Sequence, residues 1–234
     1  MKAACLKRGL KYPCGSDRPP HMHPGLLPFL ASCMAYFILW LPEPSIGGTI
    51  LKCLPTLCLK LFVATNSYSA GAWTPYTRRI FQGLLLSAVG DACLVWPNTF
   101  LAGLAAFAGC HACYILAFGL RPLRPLTLLA VGGAVAAAYT FLLLPCLKGL
   151  YVWAAAAYTG LLGVMAWRAL ARRARWPAAA AGSLFFVASD LFVGLDKFCS
   201  NVAHARALIM STYYTAQLLI TFSAASQRTS RKES

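Results

Sequence analysis

Two aspartates stand in the middle of runs that are otherwise almost wholly apolar, Asp91 in LLLSAVGDACLVW and Asp190 in SLFFVASDLFVGL. The chain has six acidic residues in all, so two at such positions call for a reason. An ionisable group deep in hydrocarbon costs several kcal/mol, roughly 2.5 to 3.5 on insertion scales, and a functional role is the default reading. Two neighbouring carboxyls resist joint ionisation. One can then keep its proton as a general acid while the other, ionised, stabilises positive charge that develops beside it. The competing reading is a structural lock, a buried hydrogen bond or an ion pair with Lys52.

The elements that position these carboxyls follow from composition. With 59% hydrophobic and 12% charged residues and a mean hydropathy of +0.62, the 234-residue chain is not a soluble domain. It reads as an all-α polytopic membrane protein. A net charge of +15 would suggest nucleic acid in a soluble chain. Here the basic residues fall in the short gaps between apolar runs, the pattern of topology signals facing anionic lipid, so the bilayer and not nucleic acid is the expected partner. Among the ten cysteines, Cys33, Cys53, Cys58, Cys93, Cys110, Cys113 and Cys146 lie in or beside apolar spans without regular spacing. They read as packing residues in a reducing or lipid-buried setting. Cys110-His111-Ala112-Cys113 resembles a metal-site fragment, but no second Cys pair completes a zinc set, and no metal or cofactor is expected.

Cutting the chain where Arg, Lys, Pro and Gly cluster gives eight spans, 26–41, 47–63, 80–96, 99–120, 126–144, 150–167, 178–195 and 207–225. They are flanked by a polar tail over 1–25, which has no apolar stretch to serve as a signal peptide, and a short tail over 226–234. Sixteen Lys and Arg, among them Arg168, Arg172, Arg173 and Arg175, fall on the N-terminal side of the membrane against three on the other, which places both termini in the cytosol. Along that topology Asp91 and Asp190 both lie roughly 17 Å from the cytosolic face at 1.5 Å per residue. Lys52, Tyr214 and Gln217 share that slab, with His111 and Tyr114 slightly below. Glu43 and Asp196 sit at outer span ends and read as solvated.

At these residues the chain resembles the YhhN family of membrane lysoplasmalogenases and, within it, B-like members of the animal transmembrane protein 86 group. The resemblance rests on Lys52-Cys53-Leu54-Pro55, Ser87 through Leu94, His111 with Tyr114, Phe186 through Leu191, and Tyr213 through Leu218. It implies an eight-helix, multi-pass enzyme of the endoplasmic reticulum membrane that takes a lysophospholipid as substrate. That enzyme hydrolyses the vinyl ether of lysoplasmalogens, alkenyl glycerophosphocholine or glycerophosphoethanolamine, to a fatty aldehyde and the glycerophospho-alcohol. It further implies that Asp91 and Asp190 are the catalytic carboxyls. A vinyl ether is stable to base and cleaved by acid, which suits a carboxyl kept protonated by dry surroundings, and needs no cofactor. On this reading Lys52, His111, Tyr114, Tyr214 and Gln217 contact substrate or water. The oligomeric state stays open, a homodimer included.

Two rivals are weighed against it. An intramembrane aspartyl protease would share Gly90-Asp91, but Ala88 stands where such enzymes carry Gly, and no Pro-Ala-Leu triplet occurs. A proton-coupled transporter or lipid carrier could use the same midplane groups, although such proteins commonly show internal repeats and none is evident here.

Overall fold

A computed structural model describes residues 24–68, 73–172, 177–200 and 202–232. Residues 1–23 of the expected polar tail, and Arg173 and Arg175 of the basic run, lie outside the described residues. Among the described residues the chain is helical: α1 Leu27–Leu39, α2 Ile46–Tyr68, α3 Pro75–Val95, α4 Phe100–Phe118, α5 Pro125–Ala137, α6 Leu150–Ala171, α7 Ala178–Gly194 and α8 Ala205–Lys232. Counted with their flanking turns, five helices are long and apolar enough to cross a membrane: Ile46–Tyr68, Pro97–Phe118, Pro125–Cys146, Leu150–Ala171 and Ala178–Cys199. The chain is therefore a polytopic membrane protein.

The boundaries have local causes. Proline opens α1, α3 and α5, where its missing N–H would be unpaired in any case. Thr74 caps α3 by accepting the Thr77 amide at 3.2 Å. Gly119 ends α4 in a positive-φ conformation that other residues rarely adopt. Two helices widen into π turns at their ends, α5 over Ala138–Leu143 and α7 over Leu195–Cys199. A disulfide between Cys146 and Cys199 ties those two ends together. This corrects the reading of Cys146 as a packing residue: spacing alone hid a partner 53 residues away.

The contacts also disclose an internal repeat that the sequence does not. Helices α1–α4 and α5–α8 pack alike, with α3 along α4 and α7 along α8, while α2 meets α8 as α6 meets α4. The correspondence holds residue by residue. Gly83 and Gly182 each lie eight positions before their aspartate. Gly83 lets α3 approach the ring of Tyr114, and Gly182 lets α7 approach the backbone of Ala216, the counterpart of Tyr114. Gly90 faces the ring of Phe107, and its counterpart Ser189 donates a hydrogen bond to the carbonyl of Ile209, the counterpart of Phe107, at 3.1 Å. Little identity survives between the halves, so the repeat is carried by helix contacts.

Alanine at Gly83 or Gly182 drives a methyl into the facing helix. Each change is expected to destabilise the protein by about 1–3 kcal/mol, the usual cost of overpacking, read as a lower melting temperature in detergent. Alanine at Gly132, which meets no neighbouring atom, serves as the control.

Candidate active site

Each aspartate is held by two side chains from other helices. Asp91, 2% exposed, accepts from Tyr213 Oη of α8 at 2.7 Å and from Thr56 Oγ1 of α2 at 3.1 Å, and those two hydroxyls are 3.2 Å apart. Asp190 accepts from Tyr158 Oη of α6 at 2.7 Å, with His111 Nε2 of α4 at 3.3 Å, and the tyrosine and histidine are 2.9 Å apart. The buried Nδ1 of His111 has no hydrogen-bond partner, which assigns the ring proton to Nε2. These triangles are counterparts in the repeat: Thr56 matches Tyr158, and Tyr213 matches His111.

The two triangles touch through rings. Phe186 packs 4.8 Å from the His111 ring and 5.6 Å from the Tyr213 ring, and Phe107 packs 5.8 Å from Tyr213. Both carboxyls are thus interior and linked through an aromatic cluster, but no hydrogen bond between them occurs among the described residues. They form two centres with separate donors.

The other residues expected at the site are placed as follows. Tyr114 Oη donates to Gln217 Oε1 at 2.6 Å, and Gln217 Nε2 donates to Ser87 Oγ at 2.8 Å, a fully buried clasp between α3, α4 and α8. Tyr214 Oη donates to the Lys52 carbonyl at 2.9 Å, in the turn ahead of Pro55 where the proline ring loosens the helix ladder. The Lys52 ammonium lies 3.4 Å from Glu43, not on an aspartate, and Arg206 lies 3.0 Å from the other Glu43 oxygen. Glu43 is therefore not a solvated span-end residue as its position suggested. Nor is Asp196 free, since it accepts the Val202 amide at 3.1 Å.

Thr56, Tyr158 and Tyr213 escape the sequence reading. Tyr158 lies eight residues into α6, or about 12 Å down the helix from its start, in the slab already occupied by the aspartates. The depth count that selected the others would have found it. Tyr213 and Tyr214 are equally deep, and only helix rotation decides which one faces Asp91.

The surroundings of the two triangles differ. Beside the Asp91 triangle Lys52 of α2 and Arg206 of α8 surround Glu43, whereas the counterparts of those two positions beside the Asp190 triangle are Ala154 of α6 and Leu104 of α4. A cavity of about 100 Å³ opens there between α4, α5, α6 and α7. Its wall is mostly apolar, with Leu104, Phe107, Ala155 and Leu162, and its polar residues include Asp190, Tyr158 and Thr159. A carboxyl with an oriented donor, set in a mostly apolar pocket, can protonate a weakly basic carbon or oxygen.

The profile of the YhhN family matches residues 47–224. The chain is 45% identical over 217 residues to human "Lysoplasmalogenase TMEM86A", covering 88% of this chain and 90% of that protein. It is 42% identical over 228 residues to human "Lysoplasmalogenase TMEM86B", covering 96% of each. A "Lysoplasmalogenase" of Mycobacterium tuberculosis is 30% identical over 159 residues, 62% of this chain and 59% of that protein. No solved structure matches.

Removing a donor from the sealed centre leaves a buried acceptor short of a bond. Tyr213→Phe is expected to cost about 1–3 kcal/mol of stability, seen as a lower melting temperature. Tyr158→Phe beside the cavity, where Asp190 keeps His111, is expected to cost less.

Proposed function

The chain belongs to the YhhN family, and on that footing we propose that it is a lysoplasmalogenase, an enzyme that hydrolyses the vinyl ether of alkenyl glycerophosphocholine or glycerophosphoethanolamine within the bilayer. The observation that carries the reading is Asp190, whose carboxyl is bonded to Tyr158 and which borders a mostly apolar cavity.

Asp190 delivers a proton to the outer alkene carbon. The electron pair of the double bond forms the new C–H bond, and positive charge spreads over the adjacent carbon and the ether oxygen, as in glycoside hydrolysis. Oδ2 is occupied by Tyr158 and His111, so Oδ1 carries the proton. The resulting carboxylate stabilises the cation and then takes a proton from the water that adds to it. The hemiacetal then breaks its bond to the glycerol oxygen: Asp190 gives that oxygen its proton and recovers one from the hemiacetal hydroxyl, whose O–H electron pair becomes the C=O bond, giving alcohol and aldehyde. Neither a metal nor a redox partner enters the balance.

Asp91 serves the same reaction from behind. By anchoring Tyr213 it steadies Phe107, which lines the cavity, and Phe186, against which His111 packs. Of the residues expected at the substrate, His111 orients Asp190. Tyr114, Tyr214 and Gln217 fasten the helices around the site, and Lys52 closes the first half with Glu43.

The protein crosses the endoplasmic reticulum membrane eight times, with both termini in the cytosol. The Cys146–Cys199 disulfide lies at the end that the Lys and Arg distribution assigns to the lumen, and disulfides persist in oxidising compartments. A lipid carrier is the second reading, favoured by the internal repeat, since many transporters are built that way.

Purified protein given alkenyl and acyl lysolipids side by side is expected to release fatty aldehyde from the first and no fatty acid from the second. Transport without product would support the carrier. Asp190→Asn is expected to lower turnover at least about 100-fold with an unchanged melting temperature. Asp91→Asn is expected to lose both turnover and thermal stability.

A further inference from the structure

The lysolipid reading leaves open how a head group and a hydrocarbon chain share one cavity, and the mouth of the cavity supplies an answer. At the end of the bundle where α4 and α6 begin and α7 finishes, three rings from three elements converge on the cavity: Phe100, Tyr151 and Phe198. Their centroids are 6.2 Å apart for Phe100 and Tyr151, 5.8 Å for Phe100 and Phe198, and 5.1 Å for Tyr151 and Phe198. An ammonium already sits against this group. The Nζ of the exposed Lys197 lies 5.1 Å from the centre of the Phe100 ring. Clustered aromatic faces attract alkylammonium ions through the ring quadrupole, and quaternary ammonium ligands are commonly bound in this way.

Depth along the helices sets the distance to the reacting carboxyl. From Tyr151 to Tyr158, and from Phe198 back to Asp190, the helix rise is about 10–12 Å. An extended glycerophosphocholine has about nine bonds between its nitrogen and the ether oxygen, which span roughly 10 Å. A head group seated at the rings therefore brings the ether bond to Asp190. Beyond Asp190 the cavity shares Val135, Tyr139 and Thr159 with a groove between α5 and α6 whose floor includes Gly132, Gly160 and Gly163. That groove gives the hydrocarbon chain a way out of the cavity. Beside Asp91 the counterpart positions carry the ion pairs of Glu43 with Lys52 and Arg206.

We propose that Phe100, Tyr151 and Phe198 form the head-group site for the ammonium of a lysophospholipid, with Lys197 beside it for the phosphate. The assignment of the bound lipid as substrate rests on the lysoplasmalogenase reading, whereas the preference for an ammonium does not. The choline trimethylammonium, which carries a diffuse charge and little hydration, fits aromatic faces better than the primary ammonium of ethanolamine.

The test is equilibrium binding of three 1-O-alkyl lysolipids of equal chain length to the full chain in nanodiscs: alkyl glycerophosphocholine, alkyl glycerophosphoethanolamine and alkyl glycerophosphate. None has a vinyl ether to cleave, so the measurement does not depend on turnover. The choline lipid is expected to bind about tenfold more tightly than the phosphate, with ethanolamine between them. Tyr151→Leu and Phe198→Leu should each remove most of that difference while leaving the phosphate lipid bound, and Tyr151→Phe should keep it. Equal binding of all three lipids by the unaltered protein would overturn the proposal, as would an undiminished choline preference in both leucine variants. Should those variants fail to fold, the head-group comparison on the unaltered protein decides. Absence of alkenyl hydrolysis in a parallel assay would remove the enzyme reading and leave the binding comparison standing on its own.

Discussion

Inside a bilayer no water is at hand to hydrogen-bond a carboxyl, so the chain itself must supply the donors, and they must come from helices that are distant in sequence. The rest of the architecture answers that constraint. Asp91 draws α2 and α8 to α3, and Asp190 draws α4 and α6 to α7. Each aspartate thereby ties its own half of the protein to the other. The glycines at 83, 90 and 182 let the helices come close enough for these bonds to form, and the clasp of Tyr114, Gln217 and Ser87 fixes their rotation. A bond between buried polar groups contributes only modestly to net stability, but leaving one unmade is costly, so these bonds select one packing against its alternatives.

A repeat with two aspartates could have given two equivalent sites. One is closed and one is open, and the difference lies in the residues between each triangle and the end of the bundle. Glu43 pairs with both Lys52 and Arg206 on the Asp91 side, where Arg206 also stacks on Tyr36 and Trp40. The corresponding positions beside Asp190 are Ala154 and Leu104, and Leu104 lines the cavity. The π turns at the ends of α5 and α7 add width beside the cavity, in keeping with the frequent occurrence of such turns at functional sites. On the proposed mechanism Asp190 is the working carboxyl because it borders the cavity, while Asp91 is buried.

Much of this was legible in the residues. The helices appear within a few positions of where apolar runs and Arg, Lys, Pro and Gly clusters placed them, and both aspartates are interior as their cost in lipid required. Depth counting put His111 slightly below the carboxyls, and its Nε2 lies 3.3 Å from Asp190. Other features were not legible for definable reasons. Neighbouring residues on a helix differ by about 100° in direction, so equal depth could not separate Tyr213 from Tyr214. Thr56 and Tyr158 are single polar residues in apolar runs and carry no motif. Lys52 and the aspartates suggested a pair by charge, yet Glu43, in the turn before α2, reaches the lysine instead. The disulfide and the repeat depend on pairings between residues far apart in the chain, which no local pattern encodes.

The central claim is that a carboxylic acid in the Asp190 cavity protonates the substrate at carbon. Hydrolysis of an alkenyl lysolipid in heavy water, with the aldehyde trapped by borohydride as it forms, tests this most directly. The account predicts one deuterium on the carbon next to the former aldehyde carbon, in a single configuration, because the acid approaches from one fixed face. Product without deuterium at that carbon would contradict it.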